Sequence, residues 1–419
     1  MSEQKQTTYW AGIDWGDTEH ACTIVDGERR LKARFRIPHT SQGLMELTAR
    51  FRGFSGLQGV AVESHRGLLM VHLLQQGVSV YPINPKLSNA WRQNDTVAEC
   101  KSDERDGRVL AQELCVRHEA LQVYLPEDAE TRKLALLCEN EQSLVQERTR
   151  HAQALKSTLK QYFPAALDFF SDWTVPTAWA WVKRFPTPEA LANARTNTLY
   201  KFLRSHRVGI SPTWQERIEN RTKALEWPRD PEVSEAYVMR VRQLVACLQV
   251  LESEIARYRK RIDELFQSRE EAEIFRSLPG AGPKLAPRLA AIFGRRKDRY
   301  DSADALRQLT GTAPVTKASG RTVHVKFRRA CRKPWRNTLH LFARSSKKYC
   351  PWARAFYDYR RQRGDSHGLA LRKLADKWLK IIFRMWKEGR PYDDRKYLLN
   401  LVKKRSPILE YLTDGETCG

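Results

Sequence analysis

The chain has 419 residues, 41% of them hydrophobic, a mean hydropathy of −0.60 and a net charge of +24 at pH 7. That length suffices for two or three domains with sizeable cores, while no run approaches the roughly 18 apolar residues of a membrane span and the start MSEQKQTTYW lacks a signal-peptide pattern, so a soluble, cytoplasmic protein is expected. The eight cysteines form no CxxC pair, which argues against a zinc site or a disulfide framework.

In chain order, YWAGIDWG (residues 9–16), HACTIVDG (20–27) and LKARFRI (31–37) read as three strands, with Asp26-Gly27 as a hairpin signal. A helix is predicted over 41–52. LQGVAVES (57–64) is a nearly continuous apolar run, as expected of a strand buried on both faces. A helix over 67–76, a strand over 78–84 and a helix over 96–115 follow. Three strands and then alternating helix and strand predict a mixed sheet flanked by helices, an α/β domain over 1–128.

From 130 to 161 and from 234 to 267 the period becomes helical, with apolar steps of three and four residues. These segments predict coiled-coil arms, within a chain or between chains, in a helical region over 129–270. Residues 164–231 between them are rich in Trp, Pro and Arg. A mostly helical basic domain is expected over 271–405, and a tail over 406–419. It opens on RSLPGAGPKLAPRLAAIFG (276–294), a Gly-rich turn before a helix, where glycine amides, Lys284 and the helix N-terminus can approach a phosphate. Aromatic residues interleave the cations of 333–387; many are expected in the core, with a few left to stack on bases or sugars.

The charge is localised. Residues 271–405 carry 35 Lys and Arg against 11 Asp and Glu, and the rest of the chain carries 38 of each sign. Such a field attracts phosphate backbones, with salt-dependent binding. Residues 316–333 (TKASGRTVHVKFRRACRK) hold seven cations and no carboxylate around Ser319-Gly320. Either the stretch is a solvated basic loop with a turn serine, or the field binds a polyanion that the hydroxyl attacks. Lys317, Arg321, Lys326, Arg328 and Arg329 would then neutralise phosphate as the transition state forms, and Gly320 would let the backbone approach DNA. Arg332 and Lys333 are assigned phosphate contact only.

Four carboxylates stand out in the first domain. Asp14 ends the first strand and Glu63 the fourth. Asp103 and Asp106, in KSDERDGRVLA, share one helix face by their i,i+3 spacing. Taken singly, each suits a surface or capping position, and Asp17, Asp95 and Glu104 lie close by. Together, at strand ends where α/β sheets gather functional groups, they would repel unless a hard divalent ion held them; Mg²⁺ suits a site shared with phosphate.

GIDWG, AVES and KSDERDGRVLA resemble the DEDD set of a RuvC-like domain of ribonuclease-H type. LPGAGPKLAPRLAAIFG and LRQLTGTAPVTKASGR resemble the transposase domain of the insertion-sequence one-ten family, the serine-dependent, RNA-guided bridge recombinases. The likeness covers nearly the whole chain, and the order of the motifs is more specific than any one of them. It implies that Asp14, Glu63, Asp103 and Asp106 hold Mg²⁺. It implies that Ser319 attacks a DNA phosphate, leaving a transient phosphoserine link that allows strand exchange. It implies a homodimer or homotetramer, and a noncoding guide RNA pairing with target and donor DNA. Two departures stand out. The usual Asp-Ala of the helical acids is Asp106-Gly107, and the usual Lys-Gly-Asn downstream of Ser-Gly reads RACRKPWRNTL. Two other readings compete: a Mg²⁺-dependent junction nuclease using water, for which Ser319 is dispensable, and a non-catalytic nucleic-acid-binding scaffold, which would tolerate loss of all four acids.

Overall fold

The structure is a computed structural model that describes residues 7–63, 66–95, 103–228, 230–319 and 322–412. It divides into two compact units, residues 1–126 and 127–419.

The first unit is built on a five-stranded sheet: β1 (Tyr9–Trp15), β2 (Glu19–Asp26), β3 (Leu31–Pro38), β4 (Leu57–Val62) and β5 (Val80–Pro82), in the order β3-β2-β1-β4-β5. β1 to β3 are antiparallel neighbours, and β4 and β5 run parallel to β1. This is the expected mixed sheet. Alternation along the strands divides their side chains between two cores. Ala11, Ile13, Val60 and Val62 pack beneath α1 (Ser41–Arg52) and α2 (Leu68–Gln75). Trp10, Val25 and Ala61 pack on the other face. That second face is covered by α3 (Pro85–Asp95) and α4 (Asp103–Arg117), which contribute Trp91, Val109, Leu110 and Leu114.

Here the structure corrects the sequence reading. The single helix predicted over 96–115 is replaced by α4, beginning at Asp103, and an unanticipated α3 precedes it. Residues 96–102 lie outside the described residues. The Asp26-Gly27 hairpin is wider than its signal implied: residues 27–30 connect the strands, and the Asp26 carboxylate accepts the Glu28 and Arg30 amides, each at 2.9 Å.

The second unit is organised by two long helices, α5 (Ala129–Tyr162) and α6 (Pro231–Gln267). They pair antiparallel within the chain: Glu141 takes Arg259, Arg148 reaches Glu252, and Tyr162 stacks on Tyr237. At one end of the pair a tryptophan-rich set of short helices closes a core around Trp179, Trp181 and Phe202. At the other end a second core takes in α7 (Gly282–Phe293), α8 (Lys333–Ser346), α9 (Pro351–Gln362) and α10 (His367–Glu388). As expected, much of the aromatic content of 333–387 is core: Trp335, Phe342, Trp352, Trp378 and Trp386 are buried, while Tyr349 is exposed. Among the described residues no helix is long and apolar enough to cross a membrane.

Candidate active site

β1 and β4 are parallel and in register, Ile13 opposite Val62. The next residue on each, Asp14 and Glu63, therefore lies at the same end of the two strands. Ile13 and Val62 point into the core under α1 and α2, so the two acids fall on the opposite face, the one that α4 covers. Two glycines set the depth of that helix. A Cβ on Gly12 would stand 2.2 Å from the Gly107 carbonyl oxygen and 2.5 Å from the Ala111 nitrogen. A Cβ on Gly107 would meet the Ala21 carbonyl oxygen at 3.1 Å. The bare backbone at residue 12 lets α4 lie directly on β1, and Asp106, next to Gly107, is carried down to the strand ends and buried.

Glu63 and Asp106 meet through a residue that sequence reasoning did not pick out. The Arg92 guanidinium, from the last turn of α3, bonds the Glu63 carboxylate, and its Nε stands 2.8 Å from Asp106 Oδ1. Arg92 Nη1 also donates to Asn89 Oδ1 at 2.5 Å, and the Arg92 carbonyl accepts from Arg105 Nη2 at 3.3 Å, tying α3 to α4. The three side chains of the ion pairs are 18% (Arg92), 20% (Glu63) and 5% (Asp106) exposed, so the Arg92 guanidinium holds two mutually repelling carboxylates largely out of water. Asp14 is half-buried. Asp103 heads α4, three residues before Asp106 and on the same helix face; its side chain lies outside the described residues.

Among the described residues no three His, Cys, Asp or Glu side chains form a ready metal cage. The donor set nonetheless fits a hard divalent ion. Its described members offer carboxylate oxygens only, Asp14 and Glu63 at the ends of β1 and β4 and Asp106 on the helix that covers them, and Glu63 and Asp106 already converge on a positive charge.

Ser319 belongs to the second unit. The stretch weighed as a solvated loop is a β-hairpin: β6 (Val315–Ser319) pairs antiparallel with β7 (Thr322–Lys326), from Val315 opposite Lys326 to Ser319 opposite Thr322. Ser319 thus closes the ladder at the hairpin tip. Gly320 and Arg321 lie outside the described residues, as do the side chains of Lys317 and Ser319. Lys326 and Arg329 are exposed, and Arg328 Nε donates to the Ala313 carbonyl at 3.3 Å. Lys333, the first residue of α8, is also exposed, and Arg332 lies 4.4 Å over the Trp335 ring. At the hairpin base, Phe327 is flanked by the guanidinium groups of Arg336 and Arg372, 5.1 and 4.8 Å from its ring centre. His340 beside them is held below its ordinary pKa by burial and then by those two arginines, so it stays neutral at pH 7. Arginines here lie over aromatic rings, and residues 316–333 contain no carboxylate, an arrangement suited to polyanions.

The Gly-rich turn is partly structural. Gly280 has φ +80°, and a Cβ there would meet Ser345 Oγ at 2.9 Å, so the turn is packed against the end of α8. Gly282 and Lys284, at the start of α7, are exposed.

Residues 11–164 match the family model DEDD_Tnp_IS110, described as a transposase. Residues 272–358 match a model described as the transposase IS116/IS110/IS902 family. The chain is 31% identical over 410 residues to a Streptomyces coelicolor protein titled "Mini-circle putative transposase for IS117", covering 94% of this chain and 98% of that protein. It is 26% identical over 389 residues to the IS900 uncharacterized 42 kDa protein of Mycobacterium paratuberculosis, covering 91% and 96%. The first matched segment contains the four acids and Arg92; the second contains the Ser319 hairpin.

Proposed function

The chain belongs to the IS110 family of transposases, and we propose that it cuts and rejoins DNA for its insertion sequence through a covalent link at Ser319, assisted by the acids of the first unit. The observation that carries this reading is the meeting of Glu63 and Asp106 on one cation at the ends of adjacent strands. Two carboxylates drawn to one place largely out of water repel each other unless positive charge is bound there.

In the proposed step the Ser319 Oγ attacks a backbone phosphorus. A Ser–O–P bond forms, one P–O bond to deoxyribose breaks, and the departing sugar oxygen takes a proton. Attack by a sugar hydroxyl of the exchanged strand reverses these changes and frees the serine. Bond energy is conserved in the link, so rejoining needs no nucleotide triphosphate. Exposed cations on and beside the hairpin, including Lys326 and Arg329, offset phosphate charge, with Lys317, Arg321, Arg328, Arg332 and Lys333 in the same basic stretch. Asp14, Glu63, Asp103 and Asp106 would hold Mg²⁺, which supplies Lewis-acid polarisation of phosphate or hydroxyl oxygens when bound. The proposal includes a noncoding RNA that selects target and donor DNA, and a homodimer or homotetramer acting on the cell's own DNA. The excess of cations in residues 271–405 supports a nucleic-acid partner.

The test is to trap the link. Denaturing gels of wild-type protein reacted with end-labelled element DNA should show a protein–DNA adduct, which Ser319→Ala abolishes while DNA binding is retained. Cleavage without any adduct would replace the serine reading with a water-using nuclease. Recombination by the Ala variant would end it.

A further inference from the structure

We propose that Arg92 is the acid site's built-in counter-ion: it holds Glu63 and Asp106 in the metal-free chain and competes with the divalent cation for them. The inference rests on the metal-binding reading above and assigns a role to a residue outside the four acids.

Three observations carry it. Arg92 is the cation on which Glu63 and Asp106 converge, reaching them from a third element, α3. Its two contacts are unequal. It hydrogen-bonds Glu63, but toward Asp106 the Nε lies at 2.8 Å without hydrogen-bond alignment. That is an attraction of charge, lacking the bidentate fit that makes an arginine–carboxylate pair hard to displace. The guanidinium also has a neutral hold of its own, on Asn89 at 2.5 Å, so it can release both carboxylates and keep one partner on α3. A divalent ion entering the site meets ligand oxygens already in use and a positive charge beside them. Without metal, the same guanidinium prevents two acids, 5% and 20% exposed, from repelling each other. The arrangement keeps the site assembled but weak for metal until a second source of binding, such as a phosphate that takes the arginine, tips the exchange.

The test is Mn²⁺ binding to the full-length chain by titration calorimetry, with the free ion followed by electron paramagnetic resonance. Removing one positive charge a few ångströms from the ion should tighten binding roughly tenfold or more, so Arg92→Gln should show a correspondingly lower Kd than wild type. Metal-free R92Q should melt below wild type, and saturating Mn²⁺ should raise its Tm by more than it raises that of wild type. If R92Q does not fold, Arg92→Met takes its place: it also removes the positive charge while keeping a long side chain in the partly buried position, and its Kd should also fall below that of wild type. An equal or weaker affinity in the folded variant overturns the counter-ion role and leaves the metal site standing. Failure of wild type and variant alike to bind Mn²⁺, or binding that survives the double variant E63Q/D106N, overturns both.

Discussion

Replacing Gly12 by alanine asks whether the acid site depends on backbone-to-backbone contact between β1 and α4. The added Cβ would sit 2.2 Å from Gly107 O, 2.5 Å from Ala111 N and 2.8 Å from Leu110 Cβ, where ordinary contact begins at 3.4 Å. Two of these neighbours are backbone atoms of one helix, so no side chain can rotate away, and relief requires α4 to withdraw by roughly 1 Å from a close-packed face. Overpacking of this kind costs on the order of 3 kcal/mol, about 10 °C in the melting of a unit this size. The same withdrawal carries Asp106 off the strand ends, and a misplacement of that size is expected to lower the rate about a hundredfold. Gly107→Ala is the control. Its Cβ meets Ala21 O at 3.1 Å, a few tenths of an ångström too close, while alanine gains up to about 1 kcal/mol in helix propensity; the two nearly offset. The assays are urea unfolding followed by near-ultraviolet circular dichroism, and adduct formation on element DNA. A Gly12→Ala protein as stable and as active as wild type, or one no worse than Gly107→Ala, would refute the idea that this contact sets the site.

Two further predictions concern the second unit. Lys377 lies among the rings of Trp352, Phe356 and Tyr397, and burial, followed by Lys404, pushes its pKa down to about 8; the folded state thus disfavours its charge, a penalty present in full below pH 8 and relieved as pH rises toward the ordinary value of 10.5. Lys377→Met should therefore be more stable than wild type at pH 7, by about 1 kcal/mol after allowance for the cation–π contacts, with the difference shrinking between pH 8 and 10.5 in paired thermal melts; a difference independent of pH would contradict this. Asp376 accepts Arg307 Nε at 2.6 Å and Nη2 at 3.1 Å, pinning the helix Ala303–Leu309 ahead of β6 to α10. Asp376→Asn should lower stability by about 2 kcal/mol and increase proteolysis between residues 310 and 330, read by limited digestion and mass spectrometry.

Much of the first unit was legible because its signals are local. β1, β2, β4 and β5 follow from apolar runs and β3 from its alternation, and the long helices of the second unit follow from their three- and four-residue steps, whose positions Leu134, Leu155, Val241, Leu248 and Ile255 are indeed buried. Whether the long helices paired within or between chains was not legible, because periodicity marks a face and not its partner. The β6–β7 hairpin was missed for a different reason. Thr316 and Val325 are exposed, and the cations concealed the β-branched residues on either side of Ser319.

Arg92 shows the limit more sharply. α3, PKLSNAWRQND, offers Trp91 as its only fully buried large apolar residue, too little for a periodic face. A start signal was nevertheless present: Asn84 accepts the Lys86 amide at 2.9 Å and is followed by Pro85 as the first helical residue, the cap-then-proline order that opens helices. Reading it would have placed α3, but not the role of its arginine. In sequence Arg92 lies 29 residues from Glu63 and 14 from Asp106, and no spacing rule links the three. They meet because the sheet puts β4 beside β1, Gly12 lets α4 onto β1, and α3 packs alongside α4 through Trp91. Acids can be inferred from strand ends, since each is positioned by its own element. The cation that balances them is positioned by the packing of several elements, so it becomes visible only when the fold is assembled.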